Sequence, residues 1–350
     1  MKNKAHAAVT TAIGEVNFTE VSIPEPTSED VVVKLSYSWI SPGTERSFIM
    51  GERLSGETPR LHDEPLPFPL ASGYQKVGII EWVGADVPDL AIGMTVFVTV
   101  SNVDGMHFPR GGHISPSVVH HSQVWQLPDT PNPIAYSGVV LTQVGYNCGI
   151  RGELTEGDVA VVIGDGLVGQ WAAQTLIHRK ARVLLVGKHP YRLDCFKDYL
   201  QRKTDDNSQG RVVDITQEDV VEVVKEWATD GVQILVDTVG TMESVKQFMP
   251  LMKRNGHITS AGFLGTEGLV DIQELRHREL SLHAPSGWLP SRIEDTIKLI
   301  ADDVLHTESL ITHQFPASDA KKAFDLIIHR KEPSLGIILD WSEQARKHYK

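Results

Sequence analysis

In the N-terminal third of the chain, hydrophobic positions occur in short runs separated by Gly and Pro. The runs are alternating or fully apolar and cover residues 30–37, 78–83, 95–100 and 117–119. Runs of this length, bounded by turn residues, predict β-strands. Polar stretches over 51–69 and 102–116 interrupt them, and we expect these loops on the substrate side because binding groups tend to occupy loops on a rigid scaffold. The pattern predicts a β-rich domain.

From about residue 133, short strands alternate with longer helices. Residues 158–163 form a continuous apolar run, which is typical of a strand buried on both faces of a parallel sheet. Residues 166–179 follow with helical spacing, and the alternation then continues through strands at 182–186, 212–213, 233–236 and 257–261 and helices at 190–200, 218–228 and 242–252. This order predicts βαβ units and a doubly wound parallel sheet.

The C-terminal part returns to a mixed pattern, with helices predicted over 293–300 and 317–328 and a strand over 335–339. We therefore expect an α/β protein in which residues 1–132 and 287–350 form the β-rich domain. Residues 133–286 would form the doubly wound sheet. The length of 350 residues agrees with two domains of ordinary size.

Composition narrows the possible partners. The chain has 33 Lys and Arg against 45 Asp and Glu, a net charge of −12, which argues against a general affinity for nucleic acid or anionic membranes. No apolar run approaches the ~20 residues that span a bilayer, and the N-terminus lacks the apolar core of a signal peptide. The two cysteines, Cys148 and Cys195, provide no Cys-x-x-Cys zinc or redox motif. We expect a cytoplasmic protein.

A glycine motif follows the apolar run at 158–163. Residues 164–169 read Gly-Asp-Gly-Leu-Val-Gly and open a predicted helix, which is the context that the dinucleotide fingerprint requires. Gly164 would allow the tight turn, Gly166 the approach of a pyrophosphate, and Gly169 the close packing of helix on strand. The helix N-terminus would present N–H groups to the phosphates. We predict a dinucleotide site that includes Leu167 and Val168.

The residues after the second strand of this unit indicate which dinucleotide binds. NAD sites usually carry Asp or Glu at the end of that strand, where it binds the ribose 2′-hydroxyl. Here the position is Gly187, followed by Lys188 and His189, with Arg192 nearby. Cations would attract a 2′-phosphate that a carboxylate would repel. The sequence therefore favours NADP(H) over NAD(H).

The order of these features resembles the medium-chain dehydrogenase/reductase superfamily. The matching segments cover nearly the whole chain and are residues 41–45, 73–78, 157–159, 164–169, 237–240 and 255–262. The resemblance implies a GroES-like catalytic domain, a Rossmann domain and a pyridine-nucleotide oxidoreductase acting on a small molecule. It also implies a homodimer that pairs the last Rossmann strand, near 279–284.

The zinc ligands of that superfamily are missing from the matching positions. Where its zinc enzymes carry Cys and then His-Glu, this chain has Pro42 and then Tyr74 and Gln75. The third ligand would fall near 141–143, which reads Leu-Thr-Gln, and the four-cysteine lobe is absent. Proline and tyrosine do not form a tetrahedral zinc site at neutral pH, so we expect a zinc-independent member.

Three histidines offer another possible metal site. Adjacent residues on an extended strand point to opposite faces, so His120 and His121 would not ligate one ion. We interpret these two residues and His113 as surface or loop histidines and expect no metal.

Without zinc, a protein group must stabilise charge on the substrate oxygen. Thr44 matches the superfamily position whose hydroxyl relays a proton, and Tyr74 takes a lost ligand position. We hypothesise that Tyr74 donates a hydrogen bond to the substrate oxygen and that Thr44 continues the proton path. Glu45 would orient its neighbours, together with Arg46, rather than act as a base. The alternative for Tyr74 is an aromatic ring that fills the vacated metal site.

Three functions stay open on the sequence alone. The first is a zinc-independent NADP(H) oxidoreductase acting on an alcohol or ketone, which the retained Thr44 and the polar loops favour. The second is a quinone or enone reductase that adds hydride to a C=C bond, and the third is an NADP(H)-binding sensor without turnover. Within the superfamily, the motifs at 41–46 and 73–74 resemble those of bacteriochlorophyllide a dehydrogenases, from which we assign no substrate.

Overall fold

The computed structural model describes residues 3–56, 58–203, 208–262, 270–330 and 332–342. Within these ranges the strands are β1 Lys4–Ala12, β2 Glu15–Ser22, β3 Asp30–Ile40, β4 Arg53–Ser55, β5 Thr58–Pro59, β6 Leu70–Ala71, β7 Lys76–Val83, β8 Thr95–Val98, β9 Ser101–Asn102, β10 Arg110–Gly111, β11 Ile114–Ser115, β12 Ser117–His120, β13 Val124–Gln126, β14 Val159–Ile163, β15 Arg182–Gly187, β16 Gly210–Asp214, β17 Val232–Asp237, β18 Met252–Ser260, β19 Ser281–His283, β20 Ile311–Pro316 and β21 Gly336–Asp340. The helices are α1 Pro42–Ile49, α2 Val139–Gly149, α3 Leu167–His178, α4 Pro190–Lys203, α5 Val220–Trp227, α6 Met242–Lys246, α7 Ile272–His277, α8 Pro290–Ala301 and α9 Ala320–His329. None of the described helices combines the length and the apolar character needed to cross a membrane.

The chain divides into two compact units. The first unit comprises Met1–Val140 and Ile311–Lys350, and the second comprises Leu141–Leu310. The chain therefore returns to the first unit at Ile311, later than the predicted residue 287. The physical reason is that α8 and the segment after it are tied to the second unit. The Trp171 indole, for example, donates a hydrogen bond to the His306 carbonyl at 3.0 Å.

The first unit is built around the long strand β3, which is internal to a nine-stranded sheet. This strand pairs with β7, β12 and β21 along its length. Val31, Val33 and Leu35 face one hydrophobic cluster together with Phe324 of α9, whereas Val32 faces another. The apolar run that predicted this strand is explained by burial on both faces. A second sheet of four strands contains β1, β2, β6 and β11.

The second unit contains a six-stranded parallel sheet in the order β16-β15-β14-β17-β18-β19. Alternate residues of β14 lie in two different clusters: Val161 and Ile163 in one, Ala160 and Val162 in the other. The strand is therefore covered on both faces, as its continuous apolar sequence indicated. The predicted fold, an α/β protein with a β-rich part and a doubly wound Rossmann sheet, is confirmed.

Two kinds of element differ from the prediction. The helix predicted over 242–252 ends as α6 at Lys246, and a short 3-10 turn with Pro250 leads into β18, since proline cannot continue an α-helical hydrogen-bond ladder. Helices α1, α2 and α7 were not predicted. Helix α1 opens with proline at its first turn and is only eight residues long, so its periodicity is too brief to stand out.

Candidate functional site

The glycine motif joins β14 to α3 in the second unit. Gly164 has φ +110°, a conformation that L side chains rarely adopt. A Cβ on Gly169 would collide with the Gly164 carbonyl oxygen, whereas a Cβ on Gly166 would meet nothing within 4 Å. The open space therefore lies at Gly166, the residue that caps α3, where a pyrophosphate would meet the first N–H groups of the helix. The residues present fit a dinucleotide. Leu167 and Val168 form the first turn of α3.

The turn after β15 carries the cations predicted to select NADP(H), and the structure adds an acid among them. Asp165, the second residue of the glycine motif, is 4% exposed. Its carboxylate lies 2.9 Å from His189 Nδ1 and 3.5 Å from Arg192 Nη1. Lys188 is exposed. Among the described residues its ammonium has no hydrogen-bond or ion-pair partner. Sequence reasoning assigned no role to Asp165 in the site. Two signals for it were present: an acidic residue inside the glycine motif, and a glycine at the end of the second strand, where an acidic residue is usual.

In the first unit, the hydroxyl of Tyr74 lies against α1. Hydroxyls of Ser41 and Thr44 both hydrogen-bond to the phenol oxygen. Burial, the largest effect, raises the pKa of Tyr74 to about 12, although the hydrogen bond from Ser41 opposes it. The residue as a whole keeps partial exposure, so it is the hydroxyl end that is desolvated. The phenol is therefore a neutral hydrogen-bond donor at neutral pH. The structure brings Tyr74 and Thr44 together.

Glu45 lies in a buried polar network. Its Oε1 accepts the Ser41 N–H at 2.7 Å, and its Oε2 lies 3.0 Å from His113 Nε2. Because a carboxylate only accepts hydrogen bonds, the Nε2–H of His113 donates to Glu45. The other ring nitrogen of His113 contacts Ser38 Oγ at 2.8 Å. The suggested pairing of Glu45 with Arg46 is not observed: the Arg46 guanidinium instead binds Glu52 at 3.0 Å.

His113 lies in the bend between β10 and β11, in line with the loop interpretation, but it is not a surface histidine, because its side chain is fully buried. The cause is a close approach of two backbone segments. The N–H groups of Gly112 and His113 both donate to the Ser72 carbonyl, at 3.0 and 3.1 Å. A Cβ on Gly73 would lie 2.5 Å from the His113 ring. The glycines place the imidazole beneath the loop that carries Tyr74.

The argument for His120 and His121 also fails. Their ring centroids are 4.5 Å apart, because β12 ends at His120 and a 3-10 turn begins at His121. With Glu29 they form, in the described ranges, a group whose potential ligand atoms lie within 4.8 Å of one another. However, His120 Nδ1 already accepts the Ser122 N–H at 3.2 Å. This group, in which Glu29 is exposed and the two histidines are half-buried, is separate from the superfamily's zinc positions.

The other positions that matched zinc ligands are engaged elsewhere. Pro42 begins α1. The Gln75 amide donates to the Trp39 carbonyl at 3.3 Å, and in the second unit the Gln143 amide donates to the Gly287 carbonyl at 3.4 Å. Both glutamines are fully buried. Tyr74 is the residue of this set whose polar end reaches other predicted catalytic groups.

Comparison with known proteins finds similarity to dehydrogenases. Residues 168–302 match the family described as zinc-binding dehydrogenase, a range that includes neither Pro42 nor Tyr74. D-arabitol-phosphate dehydrogenase of Enterococcus avium is 22% identical over 346 residues, covering 91% of this chain and 92% of the relative.

Solved dehydrogenases share the architecture over their whole length. An alcohol dehydrogenase of Escherichia coli CFT073 in complex with NADH superposes with a TM-score of 0.79 at 20% identity, over 97% of this chain and 99% of the other. A dehydrogenase of Sinorhizobium meliloti 1021 bound to NADP gives a TM-score of 0.76 at 20% identity, over 97% and 100%. Sequence and fold together support the medium-chain dehydrogenase/reductase superfamily and an NAD(P)-dependent oxidoreductase.

Proposed function

We propose that this protein is a zinc-independent NADP(H)-dependent oxidoreductase that interconverts a small-molecule alcohol and ketone. The observation that carries the proposal is the Tyr74 hydroxyl, a neutral donor hydrogen-bonded to Ser41 and Thr44 at a position where zinc enzymes carry a ligand. The alcohol dehydrogenases and polyol-phosphate dehydrogenase among its relatives favour an alcohol substrate.

Each residue has a separate role in this proposal. Tyr74 donates to the substrate oxygen and stabilises the charge that develops there, a contribution worth roughly 10²–10³ in turnover for one preorganised donor. The Thr44 hydroxyl hydrogen-bonds to the Tyr74 phenol and continues the proton path. Glu45 acts as a positioning residue, because it holds the Ser41 N–H at the start of α1. A bound nicotinamide would supply the hydride chemistry.

The cofactor part of the proposal rests on the turn after β15. Gly187 leaves the strand without an acidic side chain, and the exposed Lys188 has no partner among the described residues. His189 and Arg192 lie next to it around Asp165. The Lys188 ammonium and the Arg192 guanidinium support binding of a 2′-phosphate. Gly164, Gly166 and Gly169 would hold the pyrophosphate, with Leu167 and Val168 in the same helix turn.

We propose further that two chains pair through β19 to form a homodimer. In the described sheet, β19 is a terminal strand bonded to β18 on one side, and Leu282 on it is 40% exposed. Both cysteines are free thiols, as a reducing compartment would maintain them; the cytoplasm stays a prediction.

The test of the catalytic proposal is Tyr74→Phe. With a ketone that the wild type reduces, kcat should fall roughly a hundredfold, while the dissociation constant for NADPH changes less than about threefold. Tyr136→Phe is the matched control, since Tyr136 is a buried tyrosine of the same unit outside the site, and its kcat should be unchanged.

A substrate panel of ketones, quinones and enones identifies the reaction class. Reduction of ketones supports the proposal, whereas consumption of NADPH with enones or quinones alone would replace it by C=C or quinone reduction. Unchanged kcat in Tyr74→Phe would remove Tyr74 from the mechanism and leave it as a packed aromatic ring.

A further inference from the structure

The end of β15 has no carboxylate of its own, but the carboxylate of Asp165, from the glycine motif, lies beside it. Asp165 Oδ2 accepts the backbone N–H groups of Lys188 and His189, each at 2.9 Å. The same carboxylate contacts the imidazole of His189 at 2.9 Å and the guanidinium of Arg192 at 3.5 Å. Asp165 therefore holds the first residues of the turn that follows β15, and its oxygens are occupied by donors from the protein itself.

Asp165 also fills the space beside Gly187. A Cβ on Gly187 would lie 2.5 Å from the Cβ of Asp165 and 2.7 Å from its Cγ, and still nearer to Oδ2. These separations are shorter than real Cβ atoms show. An aspartate at position 187, the usual ribose-binding acid, would also place two carboxylates side by side, and adjacent carboxylates repel one another. Positions 165 and 187 can therefore carry only one acidic side chain between them unless the backbone moves.

We propose that Asp165 and Gly187 act as one coupled pair that sets the cofactor preference. Asp165 fills the space in which an acidic side chain at position 187 would stand. Its own oxygens bind donors of the protein and are therefore not available to the ribose hydroxyls. Asp165 also anchors the turn that carries the exposed Lys188, because it accepts the backbone N–H groups of Lys188 and His189. The inference rests on the proposed dinucleotide site and names a specificity-determining residue within it.

Moving the carboxylate from position 165 to position 187 should therefore shift the cofactor preference from NADPH toward NADH. Asp165→Gly removes all the side-chain atoms that crowd position 187. Gly187→Asp then places a carboxylate at the end of β15, where it can accept hydrogen bonds from both ribose hydroxyls of NADH. Either change alone should be unfavourable. Alone, Gly187→Asp creates the clash, and Asp165→Gly leaves the N–H groups of Lys188 and His189 without their acceptor.

The experiment is a double-mutant cycle of the wild type, D165G, G187D and D165G/G187D. The unfolding midpoint is measured without cofactor, and NADPH and NADH dissociation constants are measured by nicotinamide fluorescence. G187D should lower the midpoint by more than about 4 °C, and D165G/G187D should recover at least half of that loss. The double variant should shift the ratio of the two dissociation constants toward NADH by roughly tenfold to a hundredfold.

D165A/G187D is the matched control. Alanine keeps the Cβ that would lie 2.5 Å from the new side chain, so this variant should recover less stability than D165G/G187D. Equal midpoints for G187D and the wild type, or additive effects in the cycle, would overturn the coupling. A coupled cycle with an unchanged NADPH-to-NADH ratio would overturn the specificity role. Preference of the wild type for NADH would refute the proposed NADP(H) dependence, while the midpoints still decide the coupling.

Discussion

Lys76 is a fully buried amine on β7 in the first unit. Its Nζ hydrogen-bonds to Ser101 Oγ and lies 3.4 Å from the Gly111 carbonyl, and no acidic side chain pairs with it among the residues that the structure describes. Burial lowers the pKa of Lys76 well below its ordinary value. Between the lowered folded pKa and the unfolded pKa of about 10.4, the unfolded chain therefore binds more protons than the folded chain, so the free energy of unfolding should rise with pH over that range.

Lys76→Met should raise the free energy of unfolding at pH 7, because the gain from no longer burying an amine that binds a proton in the unfolded chain should exceed the cost of about 1–3 kcal/mol of leaving the Ser101 hydroxyl without this partner. It should also remove the gain in stability between pH 7 and about pH 10 that the wild type shows. Denaturant unfolding at several pH values measures both. The exposed Lys246→Met should leave this pH slope unchanged; a Lys76 variant with the wild-type slope would show that the amine stays protonated in the folded state.

Residue identity and spacing predicted some of the site and missed the rest. The pairing of Tyr74 with Thr44 was expected because both match motif positions. The contact between His113 and Glu45 joins residues 68 apart in the chain, and it depends on the approach of Gly112 to the loop before Tyr74. Sequence periodicity carries no information about such an approach, so it could not show that the side chain of His113, a loop residue, is buried.

At the scale of elements, β14 and α3 show how a local pattern specifies a local structure. The apolar run, the glycines and the helical spacing predicted their order and bounds to within a residue or two. The glycines nevertheless have different physical roles. Gly169 is required by packing, since its Cβ would meet the Gly164 carbonyl, whereas Gly166 faces open space.

Gly169→Ala and Gly166→Ala should therefore separate folding from binding. Gly169→Ala should lower the unfolding midpoint of the cofactor-free protein, because backbone must move. Gly166→Ala should cost less than about 1 kcal/mol of stability but weaken NADPH binding at least tenfold, since the added methyl group fills the space for the pyrophosphate. Calorimetry and fluorescence titration measure the two effects. Equal loss of stability in both variants would contradict this division of roles.

At the scale of the whole molecule, the boundary between the units is set by tertiary packing more than by the alternation of strands and helices in the sequence. The predicted return to the first domain at residue 287 was placed where the strand-helix alternation ends. In the structure the return lies at Ile311, because Tyr199 donates to the Val304 carbonyl at 3.3 Å and Trp171 binds His306. An amphipathic helix such as α8 does not reveal in its sequence which core it covers.

The proposed dimer is tested at the same scale. Sedimentation equilibrium should give twice the mass of the chain, and Leu282→Lys should give the mass of one chain, because a charge on an edge strand opposes pairing with another edge. Ile92→Lys is the control, as Ile92 is a 68% exposed residue of the first unit. A wild type that sediments as a single chain would refute the dimer.

The sequence by itself determined the fold class, the order of the two units along the chain and the dinucleotide motif. It could do so because strand and helix periodicities and glycine turns are local properties of the chain. Only the tertiary structure decided that Asp165 occupies the space beside Gly187, that His113 supports Glu45 and that the Tyr74 hydroxyl is desolvated. These features depend on distances between residues remote in sequence, and therefore on how the strands pack.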